Sequence, residues 1–160
     1  MTQVIGITGG IGSGKTTLLE YLKSKGYPVH DSDKIVSKIY TNPKNNFINF
    51  IEKLGLKKAI HRRKINKKII ANTIFEDKII KKKLEKYIHK EVKTSRKNFI
   101  KKNCKKNINA IFIEIPLLLE NNLEKDFDIV VCVISKKKIR TERVLKSKKF
   151  TKQILNKIFK

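Results

Sequence analysis

The chain has 160 residues, of which 39 are Lys or Arg and 14 are Asp or Glu, so its formal charge is +25. This length suits one domain with a buried core and room for a small insert. Hydrophobic residues make up 39% of the chain, which excludes a largely disordered protein. No apolar run approaches the roughly 18 residues that a membrane span needs.

The N-terminal sequence and the cysteines indicate the cellular compartment in which the protein works. Met1–Gly6 lacks the basic-then-apolar pattern of a secretory signal, so we expect a cytoplasmic protein. Cys104 and Cys132 are too few for a disulfide framework or a metal cluster, and we expect Cys132 to be a small buried side chain. The three histidines share no metal-ligand spacing; they are His30, His61 and His89.

Lysine rather than arginine supplies the positive charge, since 34 of the 39 basic residues are Lys and five are Arg. Proteins that read bases or hold phosphates through two parallel hydrogen bonds favour Arg. Lys, Ile and Asn, which codons of A and T alone can encode, make up 72 of the 160 residues. We therefore interpret most of the charge as compositional drift, with selected binding of a polyanion as the alternative.

A strand, a glycine-rich loop and a helix open the chain. Val4–Thr8 is a short apolar run that stops at glycine, which predicts a buried parallel strand. A helix with one leucine-rich face is predicted from about Lys15 to Gly26, and Tyr27–His30 is predicted as a second, weaker strand. This order predicts a βαβ unit whose two strands are parallel and either paired or near neighbours.

Residues 34–106 differ in character from the flanking segments, because strand patterns give way to helical ones. A stripe of apolar residues between Ile80 and Phe99 predicts one long helix. Residues 62–106 hold 18 positive and four negative side chains. We interpret residues 34–106 as a basic helical insert that covers the mouth of an α/β core.

Strands and helices alternate again after the insert. Asn109–Ile115 is predicted as a third strand. Asp128–Ile134 is almost continuously apolar, which predicts a fourth strand buried on both faces. Ser135 is predicted to cap the helix that follows, and Thr151 to cap a last one. The predicted fold class is α/β with a parallel sheet.

The loop between the first strand and the first helix carries phosphate-binding chemistry. Residues 9–16, Gly-Gly-Ile-Gly-Ser-Gly-Lys-Thr, satisfy the pattern G-x-x-x-x-G-K-[ST] in the strand-to-helix context that it requires. Backbone N–H groups converge on an anion there, Lys15 reaches the β- and γ-phosphates, and the Thr16 hydroxyl coordinates Mg²⁺. The residues predicted to bind a nucleoside triphosphate are Gly10, Ile11, Gly12, Ser13, Gly14, Lys15, Thr16 and Thr17.

Carboxylates follow the second and third strands, at the sheet edge where open α/β folds bind ligands. Asp31 and Asp33 lie two residues apart, so one can cap the next helix while the other orients or deprotonates an acceptor hydroxyl, or holds Mg²⁺ through water. Asp33 is preferred for the chemistry. Glu114 is expected either to hold Mg²⁺ or the acceptor, or to form a structural salt bridge.

Two of the five arginines, Arg140 and Arg143, open the helix after the fourth strand. Arginine stabilises the charge on a transferring phosphoryl group. We predict that both residues act in phosphoryl transfer; a solvated helix face is the alternative.

Three segments together resemble the dephospho-coenzyme A kinases, which move the γ-phosphate of ATP to the ribose 3′-hydroxyl of dephospho-coenzyme A. They are residues 8–17 (TGGIGSGKTT), 31–33 (DSD) and 116–121 (PLLLEN). Arg62-Arg63 and Ile88-His89 resemble parts of that family's helical substrate domain. The match runs along the chain in order.

The resemblance implies a P-loop kinase-like three-layer fold with four of five core strands, and a division into functional regions. Residues 1–33 and 107–135 form the nucleotide-binding core, 34–106 an acceptor-binding insert and 136–160 a partial lid. ATP and Mg²⁺ are the implied cofactors and dephospho-coenzyme A the small-molecule partner, with no specific nucleic acid and no membrane. The implied catalytic residues are Lys15, Asp33, Arg140 and Arg143, and Thr16 is the metal ligand. The implied acceptor-binding residues are Asp31, Asp33, His89, Pro116, Leu117 and Glu120.

Members of the resembled family are longer and end with a fifth core strand and a closing helix. We therefore expect a chain truncated inside its arginine-bearing lid, with an open sheet edge and part of an apolar face exposed. Two alternatives to the kinase remain. One is a truncated, inactive P-loop protein that only binds nucleotide or polyanions, and the other is a different small-molecule or nucleotide kinase.

Overall fold

The computed structural model describes residues 1–106, 108–147, 155 and 158. Two compact units divide the chain: Met1–Asp31 with Ile100–Lys160, and Ser32–Phe99. The insert predicted over residues 34–106 overlaps the second unit, and the roles assigned to the regions stay predictions. Of the helix predicted after Thr151, only Leu155 and Ile158 are among the described residues, and both are helical.

In chain order, the elements of the described residues are β1 (Gln3–Thr8), α1 (Lys15–Ser24), β2 (Val29–Asp31), α2 (Ser32–Thr41), α3 (Asn45–Lys53), a 3₁₀ turn (Lys57–Ala59), β3 (Ile60–His61), β4 (Lys64–Ile65), α4 (Lys67–Glu76), α5 (Lys78–Cys104), β5 (Ala110–Glu114), a 3₁₀ turn (Glu124–Asp126), β6 (Ile129–Cys132) and α6 (Lys137–Lys146). In the first unit the described strands form a parallel sheet in the order β2-β5-β1-β6, and β3 pairs with β4 in the second unit.

The parallel sheet confirms the α/β fold class. β1 and β5 are central in the sheet, and their mostly apolar residues can be covered on both faces; Ile111 and Ile113 of β5 are fully buried. β1 and β2 are near neighbours with β5 between them. Glu114 is in register with both Ile7 of β1 and Asp31 of β2, so three strands end together at one edge.

One face of this sheet packs against the first helix. Ile7 of β1 forms a buried cluster with Leu19 and Leu22 of α1, and Phe112 of β5 packs against it. Leucines three residues apart lie on the same side of a helix, so the leucine-rich face of α1 is the one that meets the sheet. The cluster holds the loop between β1 and α1 at the carboxyl edge of the strands.

The fourth strand of the sheet, β6, is more exposed than its sequence predicts. Burial on both faces was expected from its apolar run, but Ile129 and Val131 are 42% and 38% exposed and Cys132 is exposed as well. The reason is position, since β6 pairs with β1 alone among the described strands. The predictions of two-face burial and of a buried Cys132 are therefore wrong.

The helix after β6 begins one residue later than predicted. Lys136 is its N-cap residue and makes no side-chain capping bond, so the prediction that Ser135 caps the helix is wrong. Buried Val144 anchors this helix instead.

The second unit has a core of its own. Its buried members include Phe47 and Ile51 of α3, Ile70 of α4 and Leu84 of α5. The apolar stripe predicted from Ile80 to Phe99 lies on α5, and its part from Ile80 to Val92 packs into this core. The helical character predicted for residues 34–106 holds for most of the unit.

A short antiparallel hairpin interrupts the helices of the second unit, and the sequence did not predict it. Ile60 pairs with Ile65 and His61 with Lys64. Two-residue strands carry too little periodicity for a sequence pattern to identify.

The long helix of the second unit begins at a side-chain cap. Asp77 Oδ1 accepts hydrogen bonds from the backbone N–H groups of Ile79 (2.7 Å) and Ile80 (2.9 Å), which satisfies donors that a helix start leaves unpaired.

Among the described residues, no helix combines the length and apolar character that crossing a membrane requires.

Candidate functional site

The glycine-rich loop wraps the N-terminus of α1, and its lysine folds back over it. Lys15 Nζ donates to the carbonyl oxygens of Gly9 at 2.6 Å and Gly10 at 3.3 Å. Ser13 N donates to the Gly10 carbonyl at 3.2 Å and closes the turn. The arrangement fixes an ammonium group beside backbone N–H groups at a positive helix end, which is the electrostatic requirement for holding phosphate.

The loop lies so close to α6 that Gly12 has no room for a side chain. Gly12 has a φ of +72°, and a methyl group there would lie 2.8 Å from the Arg140 carbonyl oxygen and from Val144 Cγ2. The nearest atoms to a side chain at Gly10 would belong to the flexible end of Arg140, which can move. Gly12 therefore serves the docking of a later helix in addition to the approach of an anion.

Both predicted arginines of α6 donate to the backbone of the loop. Arg140 Nε donates to the Ile11 carbonyl at 2.9 Å, and an Arg143 terminal nitrogen lies 3.3 Å from the carbonyl oxygens of Gly12 and Ser13. Three successive carbonyls are thus held by two guanidinium groups. Because a guanidinium has five N–H donors, a single arginine can bind more than one acceptor.

The loop contains a buried polar atom that fits an oxygen-rich ligand. Ser13 is 5% exposed, and its Oγ has no hydrogen-bond partner among the described residues. Buried hydroxyls are normally satisfied, so a phosphate oxygen in the glycine cradle would supply what this one lacks. Thr16 and Thr17 are exposed in the first turn of α1, where their hydroxyls are accessible to a ligand.

Two carboxylates lie at the sheet edge beside this loop's strand. Asp31 forms a 3.8 Å ion pair with Lys23 of α1, and its side chain is 12% exposed. Glu114, its partner in register across β2 and β5, is 2% exposed. In the described part of the chain, no group of three or more His, Cys, Asp or Glu is arranged to hold a metal ion.

Residues 116–120, Pro-Leu-Leu-Leu-Glu, form a turn after β5 in which Leu118 points into the protein. Leu118 is fully buried, whereas Pro116, Leu117 and Glu120 are exposed. Leu117 has a φ of +56°, and its carbonyl accepts from the backbone N (3.1 Å) and side-chain Nδ2 (2.7 Å) of Asn121. The turn presents the three predicted acceptor residues on the surface of the first unit.

The other predicted site residues belong to the second unit. Asp33 is exposed in the first turn of α2, and His89 is exposed on α5. The structure therefore groups the loop, Arg140, Arg143, Asp31, Glu114 and the 116–120 turn in one unit, and Asp33 with His89 in the other.

Two residues at the loop escaped the sequence analysis. The Val133 carbonyl lies so close to Gly9 that a side chain there would overlap it, and Val144 packs against Gly12. Both are ordinary apolar residues more than a hundred positions from the loop, and no local pattern marks them.

Comparison with known proteins gives a consistent result over nearly the whole chain. A family model described as dephospho-CoA kinase matches residues 3–160. A dephospho-CoA kinase of Fusobacterium nucleatum is 33% identical over 158 residues, which are 99% of this chain and 80% of that protein. One from Lactococcus lactis is 32% identical, over 94% of this chain and 78% of the relative.

Solved structures agree with the sequence matches. The crystal structure of TT1252 from Thermus thermophilus superposes with a TM-score of 0.76 at 28% identity, covering 98% of this chain and 78% of that one. A dephospho-CoA kinase from Campylobacter jejuni gives a TM-score of 0.68 at 26% identity with the same coverage.

Proposed function

The chain belongs to the dephospho-CoA kinase family, and from that membership we propose that it transfers the γ-phosphate of ATP to the ribose 3′-hydroxyl of dephospho-CoA, giving CoA and ADP. The chain is a kinase of coenzyme A biosynthesis, and ATP is the phosphate donor that the family implies. The observation that carries the assignment to this site is the contact of α6 with the loop, where Arg140 and Arg143 donate to three successive carbonyls.

The loop residues bind and orient the triphosphate. Backbone N–H groups between Gly10 and Thr17 cradle the phosphates, the buried Ser13 hydroxyl gains an acceptor or donor, and Lys15 exchanges its carbonyl partners for phosphate oxygens. Arg140 and Arg143 bring positive charge to the same loop. Because the transferring phosphoryl group carries charge on its oxygens, donors fixed in advance lower the barrier.

Asp33 is the group proposed to receive the acceptor's proton. Its carboxylate is exposed in the first turn of α2, so a ribose hydroxyl can approach it. The hydroxyl proton passes to the carboxylate as the oxygen bonds to phosphorus, and ADP leaves from the opposite side. His89, Asp31 and the exposed turn with Pro116, Leu117 and Glu120 are proposed to bind the rest of the acceptor.

A magnesium ion fits the donors available in the first unit. We assign the Thr16 hydroxyl as its protein ligand, with Asp31 and Glu114 as carboxylates at the same sheet edge. Magnesium is commonly held by few protein oxygens together with substrate phosphates and water, which agrees with the lack of a dense carboxylate cluster in the described residues. When bound, Mg²⁺ would neutralise charge on the β- and γ-phosphates.

The remaining assignments concern location and partners. The donor is ATP, a cytoplasmic metabolite, which supports a cytoplasmic site of action. The partner is the small acceptor rather than a specific nucleic acid, because lysine dominates the basic residues. Weak, salt-sensitive polyanion binding is compatible with the charge.

The decisive experiment measures ADP release with dephospho-CoA as acceptor and identifies the product by mass. We expect turnover that depends on dephospho-CoA, and a Lys15→Ala variant whose kcat/KM is lower by about 10²–10³, since a fixed donor to the transferring group is lost. Lys25→Ala, which removes an exposed lysine after the same helix, leaves activity unchanged. Folded protein with no acceptor-dependent turnover would exclude the kinase function and favour the nucleotide-binding alternative.

A further inference from the structure

The solvent side of α5 carries a row of lysines within the second unit. The row starts at exposed Ile79 and continues through five exposed lysines at alternating spacings of four and three residues. These five, the lysine stripe, are Lys83, Lys86, Lys90, Lys93 and Lys97. Residues three or four positions apart are neighbours on a helix surface. At about 1.5 Å per residue the lysine stripe is therefore one continuous row about 21 Å long.

The opposite side of α5 holds the helix in place. Leu84 and Ile88 are buried in the core of the second unit, and Tyr87 packs against it. Ile88 is nine positions from Lys97, which places it about 180° around the helix axis at 3.6 residues per turn. The lysine stripe thus faces away from the core, on a helix that packing has already ordered.

The positive charge of the lysine stripe is not balanced on its own helix. None of its lysines has an Asp or Glu three or four positions away. Of the two carboxylates in residues 78–99, Glu85 pairs with Lys81 at 3.9 Å, and Glu91 lines a cavity of about 760 Å³ together with Arg63. Like charges at these spacings destabilise a helix. A bound polyanion would relieve that repulsion.

Two exposed apolar side chains lie at the N-terminal end of the lysine stripe. Ile79 belongs to the row itself and is 68% exposed, and Phe75 at the end of α4 is 90% exposed. They flank Asp77, whose side chain caps α5. Removing a phenyl ring from water is favourable when an apolar medium is at hand. The fitting partner therefore offers apolar contact as well as negative charge.

An anionic lipid surface offers both. Clusters of lysine on one helix face attract anionic lipids, and aromatic or aliphatic side chains beside them enter the boundary between headgroups and acyl chains. A nucleic acid fits less well for two reasons. The row contains no arginine, the residue that suits phosphate recognition in nucleic acids, and Ile79 cannot stack on a base.

We propose that the lysine stripe is a docking surface for membranes that contain anionic phospholipid. Its five ammonium groups lie against lipid phosphates, and Ile79 and Phe75 enter the headgroup region. The binding is peripheral and reversible, and it departs from the absence of a membrane partner that the family resemblance implies. It involves neither the glycine-rich loop nor His89, which lies about 80° around α5 from Lys97.

The test is flotation of the whole chain with vesicles of equal parts phosphatidylglycerol and phosphatidylcholine. We expect the protein to float with these vesicles and not with vesicles of phosphatidylcholine alone. Raising NaCl from about 0.1 M to about 1 M shortens the Debye length from about 10 Å to about 3 Å, so the partition coefficient is expected to fall at least about tenfold. Saturating dephospho-CoA is expected to leave flotation unchanged.

Neutralising part of the lysine stripe measures its contribution. The triple variant Lys86→Gln/Lys90→Gln/Lys93→Gln is expected to lower the partition coefficient by about 10², or about fivefold for each lysine. Glutamine and lysine have similar helix propensities, so the variant is expected to fold, and circular dichroism verifies its helix content.

A matched control removes the same charge elsewhere in the second unit. The variant Lys53→Gln/Lys57→Gln/Lys58→Gln neutralises three exposed lysines outside α5, and we expect it to change the partition coefficient far less. Both triple variants are expected to release ADP at the wild-type rate, because neither changes a residue assigned to the reaction.

The Phe75→Ala substitution tests the apolar contact. We expect the partition coefficient to fall about tenfold at low and at high salt, because salt does not screen the burial of apolar surface. An unchanged partition coefficient in this variant would contradict a lipid surface and favour a purely ionic partner.

Four further results would overturn the proposal. They are equal partition onto the two kinds of vesicle, equal losses in the two triple variants, release from the vesicles by dephospho-CoA, and tighter binding to duplex DNA than to the anionic vesicles at equal phosphate concentration. Failure of the kinase function would appear instead as absent ADP release by the wild type, so the two failures are distinguishable.

Discussion

Lys15 and Asp33 carry opposite charges and differ in how the fold supports them. The ammonium of Lys15 is tied by two backbone carbonyls to the loop that it serves, so its position is set before any ligand arrives. Asp33 projects from a first helical turn and is exposed. The proposed role of Asp33 is to accept a proton and not to pack in a core. A substitution that keeps its size can therefore remove this role without disturbing the fold.

Asp33→Asn tests that role directly. The amide keeps the size of the carboxylate but cannot take up the hydroxyl proton, so we expect kcat to fall by about 10²–10⁴ while the protein folds normally. The measurement is ADP release at saturating ATP and dephospho-CoA. Glu76→Gln, which removes a carboxylate from an exposed residue in the same unit, serves as the control. Equal kcat in Asp33→Asn and the wild type would exclude Asp33 as the base.

At the scale of elements, α6 and the glycine-rich loop form one structure. Val144 packs where Gly12 has no side chain, and two arginines bind the carbonyls of residues 11–13. Hydrogen bonds that involve a charged donor are stronger than neutral ones. The helix therefore holds the loop's shape as well as bringing positive charge to it.

The Arg140→Gln substitution tests how much the contact between α6 and the glycine-rich loop contributes to activity. Losing a charge-assisted bond of about 1.5–3 kcal/mol predicts a decrease in kcat/KM for ATP of roughly 10- to 150-fold. Steady-state kinetics with varied ATP measures it. Lys138→Gln, on an exposed residue of the same helix, is expected to have no effect. Equal kcat/KM values for the two variants would show that Arg140 has no role in ATP binding or phosphoryl transfer.

On the scale of the whole molecule, each of the two units has a hydrophobic core of its own. In the first unit Ile7 packs with leucines of α1. In the second, Phe47 and Ile51 of α3 pack with residues of α4 and α5. The high lysine content is compatible with this arrangement because every described lysine is exposed or partly exposed, outside the buried apolar clusters.

Ile51→Ala tests the core of the second unit. Ile51 is fully buried, so truncation leaves a cavity and should lower the free energy of unfolding by about 2–5 kcal/mol. Urea unfolding followed by circular dichroism measures the change. Ile79→Ala makes the same substitution at a side chain that is 68% exposed, and we expect little change there. Similar losses in both variants would contradict the assigned core.

Short-range patterns were sufficient for much of the fold and part of the site. The β1–loop–α1 segment was predictable because a glycine-rich phosphate motif and its flanking strand and helix are contiguous. The long helix α5 was predictable because its apolar residues repeat at helical spacing. The hairpin between Ile60 and Ile65 was not, since its strands are two residues long.

The sequence by itself determined the phosphate-binding loop, the parallel α/β class and the family, because these depend on contiguous motifs and on periodicity. Only the tertiary structure decided that β6 is exposed, that Arg140 and Arg143 bind the loop backbone, and that Arg63 lines a cavity in the second unit. The physical reason is distance along the chain. The Arg140–Ile11 bond joins residues 129 positions apart, and strand order fixes which apolar face is covered; neither leaves a local pattern in the sequence.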